Sequence, residues 1–490
     1  MIGCLALGLS LAAAPVAFDS TELPVTVADI AGVWVGTLSH AGETEPVALE
    51  VEPGADDKVL IRMSVPVAHL DRVPIGRVSP VFQGNEVRLG PFVLQYDRGA
   101  RTLSGVAPKD LIPLYEIPLT LRRVERFDMP QRPEIGAPVA APVWTFDAGS
   151  PLWAGATFAE GTVYAGGQDG QLHAVDARSG RKRWSFKAGG PIRTRPTVAG
   201  ADLYFQADDG FLYRLAAGSG EERWRVRVVG KPIERLPFDN PKSRYDRVGS
   251  DVTVAGGRLY LGTHDGRVVA IDPARGEKAW EFASGDSVLA APAVEGGRVF
   301  FGSFDGFVYA LEAETGKLAW KRDTKGAIVS TPAVVGDRLV VGNRSYDLVG
   351  LDARSGEPLW TRYVWFSWVE SSASARDGVV YVGSSDAAAV YAFDARTGER
   401  LWKTDVYGWA WGQPAVTDAR VYAGTASQKD YLAGHKGLVV AMDRATGRPA
   451  WHYAAEPAAT GSYGFPGSPA VGDGLVFVTG LDGKVYAFTQ

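Results

Sequence analysis

From residue 143 onward, apolar and polar positions alternate in short runs, and each run ends at a Gly-containing turn. In Val299-Phe-Phe-Gly-Ser-Phe-Asp-Gly-Phe-Val-Tyr-Ala-Leu311 two such runs flank an Asp-Gly pair. That pair is the strongest short-range signal for a β-hairpin. It recurs at Asp169-Gly170, Asp209-Gly210, Asp265-Gly266 and Asp482-Gly483. A second turn follows, with an acid, then Gly four residues on, then Trp four further. The series runs Asp176/Gly180/Trp184, Asp272/Gly276/Trp280, Glu312/Gly316/Trp320, Asp352/Gly356/Trp360, Asp394/Gly398/Trp402 and Asp443/Gly447/Trp451. Ala216/Gly220/Trp224 is a variant without the acid. Successive tryptophans stand 40 to 56 residues apart, about the length of a four-stranded propeller blade.

Each repeated residue type has a physical task. The acid accepts backbone N–H bonds in the turn, and Gly supplies a left-handed backbone there. The tryptophans, Trp144, Trp184, Trp224, Trp280, Trp320, Trp360, Trp402 and Trp451, read as plugs between neighbouring sheets. Trp144 precedes the first full repeat, and the C-terminal Val485-Tyr-Ala-Phe488 lacks a tryptophan strand. Joining the two ends gives eight blades, the last shared between the termini, and leaves no open sheet edge. The fold class predicted is all-β: an eight-bladed β-propeller over 143–490 with a shared closing blade, preceded by a small antiparallel β domain.

Upstream the repeat disappears. Runs at 32–38, 46–51, 59–63, 86–89, 91–96 and 117–122 alternate as strands between Gly-, Asp- and Pro-rich turns. They predict a small sheet or barrel over 18–128, followed by a Pro-rich linker over 129–142. Residues 2–17 form an apolar run too short for a membrane span and suited to a secretion signal. Cys4 leaves lipoprotein anchoring as the alternative. The expected location is periplasmic or secreted, with no transmembrane span in the mature chain.

Composition narrows the function. A net charge of −5 on 490 residues offers no basic surface for nucleic acid. Cys4 is the sole cysteine and six histidines are scattered along the chain. No disulfide, CxxCH haem attachment or HExxH-like pair follows, so no metal site is predicted.

The Asp-x-x-x-Gly-x-x-x-Trp units with their Asp-Gly hairpins resemble the repeats of the quinoprotein (pyrroloquinoline quinone, PQQ) propeller superfamily over about residues 143–490. That superfamily holds PQQ-dependent dehydrogenases and non-catalytic scaffolds such as BamB. The resemblance implies, for the dehydrogenases, an adjacent Cys-Cys disulfide, a calcium held by Glu, Asn and Asp, and long loop insertions. This chain has no such cysteines and near-minimal blades, which points to the scaffold class. The Gly-x-Trp-x-Gly opening of the first domain (Gly32, Trp34, Gly36) and its closing Leu–Arg strand resemble the small β domain ahead of some secreted α/β hydrolases. No Gly-x-Ser-x-Gly nucleophile elbow accompanies it.

Aligning blades on Pro292, Pro332, Pro414 and Pro469 puts two insertions, 229–248 and 425–436, on the face of the Asp-Gly loops. The same face receives Arg193, Arg195, Tyr245, Arg247, Trp365, Trp368, Glu370, Trp409, Trp411, Tyr463 and Phe465. Aromatic and Arg residues are what interfaces and ligand clefts enrich, although inner-strand aromatics can also fill a wide channel. The first expectation is a non-catalytic cell-envelope scaffold, without cofactor, that binds a protein or peptide there. The alternatives are a PQQ-dependent oxidoreductase, with the arginines on cofactor carboxylates and Glu370 on calcium, and a carbohydrate-binding propeller.

Overall fold

The computed structural model describes residues 24–40, 43–108, 115–236, 247–459 and 461–490. The leader, Cys4 and Tyr245 lie outside the described residues. Eight four-stranded antiparallel sheets occupy the C-terminal part. Blades 1 to 7 begin at the inner strands Thr157–Ala159, Thr197–Ala199, Thr253–Ala255, Ala293–Glu295, Ala333–Val335, Ser374–Arg376 and Ala415–Val416. Blade 8 combines Ala470–Gly472, Leu475–Thr479 and Lys484–Thr489 with the N-terminal strand Trp144–Asp147. Trp144 faces Ala487 and Phe146 faces Val485 in that closing pair. The ring is closed by pairing the propeller's first strand with its last, as the repeat count predicts.

Burial explains the pattern of residues along each blade. In blade 4 the second strand, Arg298–Gly302, is buried on both faces because neighbouring blades cover it. The outer strand, Leu318–Asp323, exposes alternate positions. Continuous apolar runs therefore mark middle strands, and alternation marks outer ones.

The tryptophan contact is more specific than a generic plug. Trp320 of blade 4 donates its indole N–H to the Ala353 carbonyl of blade 5 at 3.2 Å. The same bond, to the residue after the turn acid or its equivalent, is made by Trp144, Trp184, Trp224, Trp280 and Trp360. Trp402 bonds to the Arg444 carbonyl. Each ring lies flat on the repeat Gly of the next blade. A Cβ at Gly356 would stand 2.5 Å from the Trp320 ring, and Gly356 also has φ +74°. The glycine thus serves the turn and the adjoining blade together. A register shift beside the indole in each of blades 1 to 7, such as Ala310/Leu311 opposite Trp320, tilts the outer strand.

The N-terminal part is one curled antiparallel sheet of nine strands. They are β1 (Gly32–His40), β2 (Glu43–Pro53), β3 (Val59–Val65), β4 (Leu70–Val78), β5 (Val81–Gln83), β6 (Glu86–Leu89), β7 (Phe92–Asp97), β8 (Thr102–Val106) and β9 (Pro118–Val124). The order β4-β3-β2-β1-β9-β8-β7-β6-β5 is a meander closed at its middle by β1 against β9. Trp34, Leu49, Ile61, Phe92 and Leu121 fill its interior. Three strands, β4, β5 and β8, escape the alternation pattern. β4 and β5 are the sheet's edges, and β4 carries Pro74, which an edge tolerates. The linker then runs along blades 6 and 7. Arg132 grips Asp405, and Ala140 and Pro138 bond to the His452 backbone at 2.7 and 3.0 Å.

Gly356→Ala and Trp320→Ala remove the same contact from opposite sides. Each should cost about 2–4 kcal/mol, read from denaturant midpoints, and the double variant should cost clearly less than their sum. Full additivity would show that the two residues act separately.

Candidate functional site at the channel mouth

The loops from each outer strand to the next inner strand converge with the hairpin tips on one face. Between them lies a cavity of about 120 Å³, partly open to solvent, at the mouth of the central channel. Arg193, Arg195, Arg247, Glu370 and Trp411 line it, as the sequence predicts for that face. Their surroundings are ordered by ion pairs. Arg193 and Arg235 both contact Asp208, at 3.1 and 3.0 Å. Arg195 meets Asp251 at 3.2 Å and also reaches Gln413 at 3.4 Å. Burial pushes the Asp251 carboxyl up while Arg195 pulls it down.

Arg344 binds Glu370 at 2.5 Å, with both side chains largely buried, and its guanidinium lies 4.8 Å from the Trp368 ring. Arg247 sits 3.8 Å above Trp411 and 5.8 Å from Trp153. Trp411 stacks in turn on Trp409, with centroids 4.9 Å apart and planes at 11°. Behind this stack is Asp386, which accepts the Trp409 indole N–H at 3.0 Å and the Tyr431 hydroxyl at 2.6 Å. Burial raises the Asp386 carboxyl above its ordinary range.

The predicted aromatic surface needs correction. Trp409 is 4% exposed and Phe465 1%, so both belong to the packed interior. Phe465 packs between blades 7 and 8 with Tyr422 and Tyr486. Tyr463 is half-buried on a short strand, Ser462–Gly464, paired to the blade 7 insertion. Trp365, 3% exposed, lies away from the mouth and packs into the core of the N-terminal sheet with Tyr363. Trp368 and Trp411 remain half-exposed. Loop-tip aromatics divide in this way because rings that large are buried wherever a neighbouring element can cover them.

The sheet docks on blade 5 beside the mouth. Tyr115 donates its hydroxyl to the buried Asp347 carboxylate at 2.7 Å. His40 and Tyr363 pack against the Tyr115 ring, with centroids 4.2 and 5.4 Å away. Glu43 reaches Arg400 of blade 6 at 3.1 Å.

Arg344, Asp251, Asp386, Trp153 and the docking residues were not anticipated. A signal for several of them lies in the repeat itself. Ser345-Tyr346 and Asp386-Ala387-Ala388 stand where other blades carry the Asp-Gly turn, and the next blade holds the 425–436 insertion. Three adjoining blades break the pattern together, and one side of the mouth and the docked sheet lie there.

Calcium does not fit this donor set. Glu370, Asp251 and Asp208 already face arginines, and among the described residues no group of three or more His, Cys, Asp or Glu could hold a metal.

The family model described as "Outer membrane protein assembly factor BamB" matches residues 136–236, 210–376 and 364–490. The chain belongs to that family. The match begins at 136, so the N-terminal sheet lies outside it. BamB from Moraxella catarrhalis superposes with a TM-score of 0.55 at 20% identity, over 72% of this chain and 98% of that one. A europium-containing methanol dehydrogenase superposes with a TM-score of 0.55 at 14% identity, over 71% and 93%. At such identities these likenesses show the fold. The quinohemoprotein alcohol dehydrogenase of Comamonas testosteroni is 34% identical over 113 residues, 22% of this chain and 16% of that protein. The chain thus matches a small part of that curated relative. No helix among the described residues is long and apolar enough to cross a membrane.

The docking carboxylate gives a pH test. Burial lifts Asp347 from 3.8 up to about 6. A carboxyl raised in the folded state contributes stability that is complete below about pH 4 and lost as pH rises through about 6. Asp347→Asn cannot carry the charge. It should be more stable than the parent at pH 8, by up to about 3 kcal/mol, and nearly equal to it at pH 4. His40, lowered by burial, titrates in both proteins and cancels in the difference. Equal stabilities at both pH values would show that Asp347 carries no buried charge.

Proposed function

We propose that this chain is a non-catalytic cell-envelope scaffold that takes an extended segment of a protein partner at the channel mouth. One observation carries the reading. The polar groups there are held as Arg–carboxylate pairs and Arg–Trp stacks, with Arg247 on Trp411 at 3.8 Å and Arg344 on Glu370 at 2.5 Å. Such groups are rigid, pre-oriented recognition elements of the kind that dominate interface energetics. The cavity there, about 120 Å³, is far too small for a folded domain and suits the side chains of an extended segment. Membership in a family named for outer membrane protein assembly agrees with a protein partner and with a periplasmic location.

A second reading has its own support. The stretch shared with a quinohemoprotein alcohol dehydrogenase and the arginines at the mouth favour a bound quinone, whose carboxylates Arg193, Arg195 and Arg247 would pair with. If such a group bound, it would supply the redox chemistry, and the chain's residues would hold and orient it.

The scaffold reading is tested by a photo-crosslinker placed at Gln413, at the mouth, in living cells. It should trap a defined envelope protein. Arg247→Ala combined with Trp368→Ala should reduce that adduct at least about tenfold, the loss expected for central interface anchors, while the propeller stays folded. An adduct of undiminished yield would overturn the assignment of the mouth.

A further inference from the structure

We propose that the N-terminal sheet sets the shape of the channel mouth through blade 5, with Tyr115, Tyr346 and Phe366 as its positioning residues. Two short segments of that blade each have one end in the sheet and the other at the mouth. In the hairpin, Arg344 pairs with Glu370 at the mouth. Two residues on, Tyr346 packs against the sheet's core, and Asp347 accepts the Tyr115 hydroxyl. In the following loop, Trp365 and Phe366 enter that core, whereas Trp368 and Glu370 flank Arg344 at the mouth. Phe366 packs against that core and lines a small cavity with Leu38, Val47, Met63, Phe92 and Leu119.

Backbone geometry identifies this as a held arrangement. Gly306 occupies the hairpin position in blade 4 with φ +86°, and Tyr346 replaces it in blade 5 with φ +71°. Phe366 has φ +53°. A bulky residue in the left-handed region persists only where its surroundings enforce it. At 346 the hairpin turn itself sets this backbone, as it does at Gly306 and, with a non-Gly residue, at Ala388 of blade 6; packing of the Tyr346 and Phe366 side chains against the sheet offsets the cost of placing bulky residues there. With the sheet removed that offset is lost, and the two segments that carry the Arg344–Glu370 pair lose their anchor.

The link extends to neighbouring blades through the backbone. The Val369 N–H donates to the Asn343 carbonyl at 3.0 Å, joining the two segments, and the Ser385 N–H of blade 6 donates to the Trp368 carbonyl at 3.0 Å. The Thr331 N–H, ahead of the inner strand of blade 5, donates to the Ser372 hydroxyl at 2.9 Å. If the mouth binds the partner, sheet docking and partner binding are coupled reciprocally, because both act on one pair of segments. That consequence rests on the proposed function, whereas the coupling itself does not.

Residue-resolved hydrogen exchange on the full chain, with no partner present, tests it. Tyr346→Gly restores the residue of the repeat while removing its contact with the sheet, and Phe366→Ala removes the second contact. In both, the Thr331, Val369 and Ser385 amides should exchange at least fivefold faster. The matching amides elsewhere on the ring, Gln168 to Pro151 and Asp208 to Pro191, should keep their rates. Tyr115→Phe removes a single hydroxyl and should produce a smaller change, at least twofold, at the same three amides, which keeps the test open if a larger substitution unfolds the sheet. Unchanged rates at Thr331, Val369 and Ser385 in every folded variant would overturn the proposal. Equal acceleration at Gln168 and Asp208 would overturn it too, by showing general loosening. Because no partner enters the measurement, its failure is distinct from failure of the crosslinking test.

Discussion

Everything in this molecule depends on the contact between one blade's tryptophan and the next blade's turn. The indole lies on a glycine that cannot accept a Cβ, and its N–H satisfies a carbonyl that the turn leaves over. A buried indole N–H needs such a partner. The contact fixes spacing, tilt and order between blades, so a chain that repeats it around the ring closes without further instruction. Closure matters because an open four-stranded sheet would expose two edges. The ring solves this by pairing Trp144–Asp147 with the C-terminal strand, and the linker reinforces the junction through Arg132 and His452.

Regular repetition makes the ring and most of the wall of the mouth, and departures from it build up one side. Blades 1 to 4 keep their Asp-Gly hairpins, whereas blades 5, 6 and 7 replace the turn or extend beyond it. Those three present the Arg344–Glu370 pair, the Trp409–Trp411 stack backed by Asp386, and the surface on which the N-terminal sheet docks. The sheet and the channel mouth are therefore neighbours in structure, although they are far apart in sequence.

The repeat was legible because each blade restates the same local chemistry: an Asp-Gly hairpin, an acid turn and a tryptophan. The nine-stranded sheet was half legible. Strands with an inward apolar alternation, such as Phe92–Asp97, announce themselves, but an edge strand holding Pro74 and several charges does not. Arg193, Arg195, Arg247 and Glu370 line the mouth because position within the repeat decides which loop reaches the channel. Trp365 and Trp409 were read as surface for a reason that sequence alone cannot remove. Their burial comes from elements distant in the chain, the sheet core for Trp365 and the Asp386–Tyr431 pair for Trp409. Asp347 and Tyr115 were invisible for the same reason, since neither has meaning without the other.

The central claim is that the mouth serves recognition without redox chemistry. Its most direct test is a titration of purified full-length protein with pyrroloquinoline quinone, with and without calcium, followed by quinone absorbance and by reduction of an electron-accepting dye with alcohols. Carboxylates already engaged by arginines predict no calcium-dependent binding and no dye reduction above the quinone-only control. Saturable binding with substrate-dependent dye reduction, lost on Arg195→Ala and Arg247→Ala, would contradict the account and make the propeller an oxidoreductase.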